Sequence, residues 1–168
     1  MRIIALSTTL ILSLGVLAAQ ERRADDKPFD DATFVATAGS SGLHEVELAK
    51  LATTQAKNEA VRKFAETLHT DHMKANEELK KAATDAGLAV PEKMNAEHQK
   101  VVDTFKDYKG DNFDSDFMKH MIAGHEKSID LFKRASKEAK DQKLKDFAAK
   151  TLPVIQAHLD AAKKIEVR

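Results

Sequence analysis

Between residues 64 and 79 the chain reads FAETLHTDHMKANEEL, and Phe64, Leu68, Ala75 and Leu79 fall on one face of a helix. The same period organises three other long stretches. One runs from about 31 to 57 around Phe34, Ala38, Leu48, Leu51 and Ala52. Another starts near 114 with Phe117, Met118, Met121, Ile129, Phe132 and Ala135, and the last carries Leu144, Ala148, Leu152, Ile155, Leu159 and Ala162. A shorter helix is predicted over about 91–108. No segment shows a convincing two-residue alternation, so no strand is predicted.

The punctuation agrees with this division. Asp30 or Asp31, Asn58, Asp114 and Asp141 are placed to cap helix starts. Gly87 followed by Pro91 stops the second helix, and KGDN at 109–112 is a turn. GSSG at 39–42 predicts a kink or break in the first helix, because glycine weakens a helix and serine competes for backbone bonds. Pro153 predicts a kink in the last. The connections near 57 and 140 are tight, which makes two antiparallel hairpins. The connection between the hairpins is long and holds the short helix. The expected fold is therefore all-α: a ferritin-like up-down four-helix bundle with one long crossover containing a short extra helix, over residues 30–168. No tandem repeat is evident.

Polar residues inside the apolar stripes are the informative exceptions. At 100° per residue, His125 lies within about 20° of its stripe's centre, His72 about 30° off, His158 about 40° and Glu45 about 50°. His44 has a similar offset on the other side of its stripe. His69 is at a boundary, His120 points well away, and His98 on the short helix has no assigned face. Counted from the two hairpin turns, Glu45 and His72 lie within about one helical turn of height, as do His125 and His158. Each long helix thus sends one polar residue inward at mid-height. Asp71 and His44 are the candidates to support them by hydrogen bonds.

Three imidazoles and one carboxylate suit Zn²⁺, Cu²⁺ or Fe²⁺. Without a metal, the same layer would need a partner for every buried donor and acceptor. Other chemistry is thinly supported. His120 and His125 in HMIAGH are five apart, not the i, i+4 zinc-protease spacing, and the general-base Glu is missing. Met73, Met118 and Met121 read as core filler before they read as a copper-binding set. There is no glycine-rich phosphate loop after a strand and no legible Ser-His-Asp order. The chain has no Cys, so thiol catalysis, disulfides and lipid attachment through a cysteine are all excluded. No catalytic residue and no organic cofactor are predicted.

Composition narrows the setting. The 168 residues suit one domain. Acidic and basic residues balance at 27 each, so net charge gives no reason to expect nucleic acid. Residues 1–19, MRIIALSTTLILSLGVLAA, have a single early base, an apolar run and small residues at the end, the pattern of a secretory signal. Residues 20–29 read as a polar linker. The expected location is the periplasm or the outer-membrane surface.

Four stretches, DDATFVATAGSSGLHEVELAKLA, VRKFAETLHTDHMKANEEL, EHQKVVDTFKDYKGDNFDSDFMKHMIAGHEKSIDLF and LKDFAAKTLPVIQAHLDAAKKI, together resemble the DUF4142 family of exported bacterial proteins over roughly 30–165. The resemblance implies a ferritin-like bundle and an envelope location; it does not imply an activity. The family's patterned Glu falls on Glu45, its Asp-His pair on Asp71 and His72, and its later histidines on His125 and His158. Where the family tends to have an aromatic hydroxyl, this chain has Phe117, so a role needing that hydroxyl does not carry over. Ferritin di-iron chemistry does not carry over either, because it needs four carboxylates and Glu-x-x-His motifs. Two functions remain: an envelope protein that binds one transition metal, in metal binding or stress protection, and a non-catalytic structural or adaptor bundle that docks on another envelope protein.

Overall fold

The computed structural model describes residues 28–108 and 112–167. The proposed signal segment and most of the linker lie outside the described residues, as does most of the 109–112 turn. Five helices account for most of the described residues: α1 (Asp31–Gln55), α2 (Glu59–Asp85), α3 (Ala96–Lys106), α4 (Phe113–Glu138) and α5 (Gln142–Ala162). None of them is long and apolar enough to cross a membrane. Side-chain oxygens of Asp30, Asn58, Asn95 and Asp141 accept the first free backbone N–H groups of α1, α2, α3 and α5. Gly87 takes up φ of +72° just after α2, a left-handed turn that glycine adopts without strain.

Asp114 is not the cap that the sequence suggested. Asn112 holds the N-cap position of α4 and makes no side-chain cap bond. The Asp114 carboxylate is buried and crosses to the α1–α2 turn, where it accepts Lys57 N at 3.1 Å and Asn58 N at 2.7 Å. Asp31, at the start of α1, does the same for the α4–α5 turn, accepting Lys140 N and Asp141 N, both at 2.9 Å. Each hairpin turn is thus fastened by an acid from the first turn of the other hairpin. The pairing fixes the directions. The start of α1 meets the end of α4 and the start of α4 meets the end of α1, so these helices are antiparallel. Helix α1 also packs on α2, α4 on α5, and α2 on α5. Because α2 and α4 then point the same way, residues 86–112 must return along the bundle's length. Helix α3 lies on that return path, against α1.

The predicted break at GSSG does not occur, and α1 runs through it. Its glycines serve close approach instead. A Cβ on Gly39 would come within 2.7 Å of Val90, and one on Gly42 would collide with the Asn76 amide. Ser40 spends its hydroxyl on the crossover segment, accepting Asn95 N at 2.9 Å and bonding His98 Nδ1 at 2.7 Å. Helix α5 likewise continues through Pro153.

The apolar core is in two parts. One gathers Phe34, Leu79, Phe132, Phe147 and Ile155 near the α4–α5 turn. The other gathers Leu48, Leu68, Val102, Phe117 and Met121 towards the α1–α2 turn. Glu45, His72 and His125 fall between these clusters in their own helices, and His158 sits at the end of the first cluster, between Ile155 and Leu159. The core is divided where the polar residues enter.

A candidate metal centre between the two cores

His72, His125 and His158 come together in the divided zone. Each offers a ring nitrogen, and these three atoms lie within 4.8 Å of one another. The rings meet at centroid distances of 5.4–5.7 Å. His125 and His158 are buried, and the His72 side chain is 14% exposed. Glu45, also buried, flanks the trio: its Oε2 is 3.5 Å from His72 Nε2, and its Oε1 is 3.8 Å from His125 Nδ1. A cavity of about 40 Å³ is lined by Glu45, His72 and His125, among others.

The hydrogen bonds fix where two of the lone pairs point. His125 Nδ1 is 2.8 Å from the Met121 carbonyl oxygen, which only accepts, so Nδ1 carries the proton. In the neutral ring, Nε2 then carries the lone pair. His158 Nε2 is 2.9 Å from Asp71 Oδ2, so Nε2 donates and Nδ1 holds the lone pair. These two bare nitrogens, His125 Nε2 and His158 Nδ1, face each other at 3.4 Å. Two neutral acceptors in that position make no hydrogen bond. Two nitrogens bound to one tetrahedral zinc would stand about 3.3 Å apart. Met121 O and Asp71 are also the kind of partner that orients a metal-binding histidine through its far nitrogen. His72 Nε2 and Glu45 Oε2 are buried without any hydrogen-bond partner, a cost of about 1–3 kcal/mol for each such group.

Burial sets the charge state. It pushes His72 down to about 3, with His125 and His158 adding repulsion. It also lowers His158, against the opposing hydrogen bond that His158 donates to Asp71. Burial raises Glu45 above its ordinary value, opposed in part by His125. Without metal, His72, His158 and Glu45 therefore favour their neutral forms. An unfolded histidine titrates near 6.5. Above that pH the stabilising effect of a depressed histidine is fully present. As pH falls from about 6.5 towards the folded values, the unfolded chain takes up protons that the folded chain refuses, and stability declines. Glu45 runs the other way: its burial is costly at neutral pH, and that cost recedes as pH falls towards the usual carboxylate range. For His72 alone the loss between pH 6.5 and 5 is about 2 kcal/mol. The denaturation midpoint of metal-free protein is expected to fall between pH 7.5 and 5, and to fall less steeply in His72→Leu. An unchanged midpoint in the wild type would show that His72 and His158 are not held neutral by burial.

Around the trio, structure and expectation agree for Asp71 and part for His44. Asp71 supports the trio through His158. His44, expected beside it in that role, makes no hydrogen bond to the layer; its Nε2 is 2.8 Å from His120 Nε2. His98 stacks on His44 at a centroid distance of 4.6 Å. The sequence left His98 without a face and turned His120 outward. His98 joins His44 because α3 packs on α1, and His120 because α4 packs there too, contacts that no single-helix projection reveals. Met118 and Met121 are core, but Met73 is 51% exposed. Phe117 is fully buried and stacks on Phe113.

The chain is thus an all-helical protein whose core is parted by a buried histidine trio. It belongs to the DUF4142 family, a domain of unknown function, whose model matches residues 16–165. Among curated proteins none matches the sequence. Among solved structures it is similar to the crystal structure of a DUF305 fragment from Deinococcus radiodurans, with a TM-score of 0.67 at 12% identity. That similarity covers 82% of this chain and 96% of the other, and at this identity it speaks for the fold alone.

Proposed function

We propose that this DUF4142 chain is an exported, ferritin-like four-helix bundle that binds one transition metal ion, zinc, copper or iron, in its central layer. Its role is metal binding or stress protection in the cell envelope, without catalysis. The observation that carries the reading is the pair of bare nitrogens, His125 Nε2 and His158 Nδ1, at 3.4 Å with their other nitrogens already committed. His72 supplies the third imidazole. Glu45 supplies the negative charge that offsets a cation in a low-dielectric site. A single flanking carboxylate does not match the carboxylate-rich di-iron pattern. The ferritin-like connectivity rests on the helix directions and the long return through α3. Export rests on the character of residues 1–19. The adaptor reading finds little surface to use: among the described residues, the large apolar side chains with wide exposure are Met73 and Val154.

The test is metal analysis of untagged protein recovered from the periplasm. One centrally bound ion per chain is expected, and the metal content should fall by one in His72→Ala and in His125→Ala. The same preparation should begin near Ala19 or Gln20. Metal-free protein with both variants as stable as the wild type would favour the adaptor reading, and an intact Met1 in a membrane fraction would refute export.

A further inference from the structure

A second group of histidines lies outside the central trio. His44 on α1 and His120 on α4 meet at 2.8 Å between their Nε2 atoms, with ring centroids 5.1 Å apart. His98 on α3 stacks against His44 with an interplanar angle of 22°. His98 is held in turn: its Nδ1 bonds Ser40 Oγ at 2.7 Å, and the same oxygen accepts Asn95 N. The contact between His44 and His120 explains little as a structural hydrogen bond. One Nε2 must donate and the other accept, and whichever does, His44 Nδ1 stays buried without a partner. His44 is 4% exposed. An apolar pair would avoid that cost, so the arrangement points to use rather than to stability.

The group also has access. His44, His98 and His120 line a pocket of about 330 Å³ that Glu45 borders as well. Glu45 therefore belongs to the walls of both this pocket and the inner cavity. Gly124 lines the outer pocket, and a Cβ there would stand 3.5 Å from Glu45 Oε1, so its absence leaves the carboxylate less covered. Glu97 and Lys127 are the other acidic and basic residues in the lining.

We infer that His44 and His120 form an outer metal site, separate from the central trio, that takes a divalent ion favouring imidazole nitrogen, Cu²⁺ or Zn²⁺. The two Nε2 atoms need to part by about 0.5 Å to share one ion, and the pocket supplies water for its remaining positions. His98 positions His44 by stacking, and the bond to Ser40 fixes His98. The crossover helix thus acquires a task beyond spanning the bundle's length. The outer site does not depend on the inner one, so each is tested in the other's absence.

Metal-free protein is titrated with Cu²⁺ by calorimetry, and the copper signal is followed by electron paramagnetic resonance. In His72→Ala/His125→Ala, which lacks the inner trio, one ion per chain is expected to bind with nitrogen hyperfine structure. Adding His120→Ala should weaken that binding at least tenfold and remove the hyperfine structure. In an otherwise wild-type chain, His44→Gln/His120→Gln should keep only the inner ion. Circular dichroism confirms that each variant is folded; should the trio variant unfold, the His44→Gln/His120→Gln chain alone decides by losing or keeping the second ion. The inference is overturned if the trio variant binds no copper. It is also overturned if the second ion persists without His44 and His120, as it would on scattered surface histidines such as His69.

Discussion

Zinc at about a hundredfold excess over its dissociation constant should stabilise the metal-free protein by about 2.7 kcal/mol, because only the folded chain presents the site. For a domain of this size that is a rise in melting temperature of roughly 8 °C. The part of the rise due to the central site should vanish in His125→Ala. Its Nε2 is one of the two bare nitrogens at the centre, and its Nδ1 is already bound to Met121 O. A second substitution, His72→Ala, should remove little more, since the ligands act as one object. His69→Ala should keep the whole shift. His120→Ala should lose only the part due to the outer pair. Asp71→Ala should fall between, because it frees His158 to turn without removing a ligand atom. Thermal melts with and without zinc measure all of these. Equal loss in the His69 and His125 variants would mean that the ion sits on the surface, and the central reading would fail.

Asp114→Ala is expected to cost about 3 kcal/mol, or close to 10 °C in melting temperature. The carboxylate is 7% exposed and accepts the N–H groups of Lys57 and Asn58. Hydrogen bonds to a charged acceptor contribute about 1.5–3 kcal/mol each, and the alanine leaves both donors without it. Asp114→Asn should cost less, since an amide oxygen still accepts. Asp31→Ala should cost about 2 kcal/mol at the other turn, which is less buried. The two turns lie at opposite ends of the bundle, so the losses should add. Urea denaturation gives both numbers. A loss below about 0.5 kcal/mol for Asp114→Ala would show that water replaces the carboxylate at the turn.

Much of this molecule follows from local rules. Helical period alone placed Phe34, Leu68, Met121 and Leu144 in the core, and Asn58 and Asp141 could be named as caps from their position before an apolar run. The central residues were also legible, because a helix is regular. Phase gives the face and distance from a turn gives the height, so Glu45, His72, His125 and His158 could be placed at one level before any contact was known.

What the sequence could not decide involves a second chain segment. GSSG reads as a helix breaker, yet α1 continues, because Gly39 and Gly42 make room for Val90 and Asn76. Asp114 reads as a local cap, yet its carboxylate reaches a turn 56 residues away in the chain. His120 points away from its own helix's apolar stripe, and only the packing of α1 and α3 beside α4 gives that face neighbours. Helical phase describes one cylinder at a time. Which cylinder lies beside which depends on the closure of a long connection, and neither residue period nor propensity encodes that.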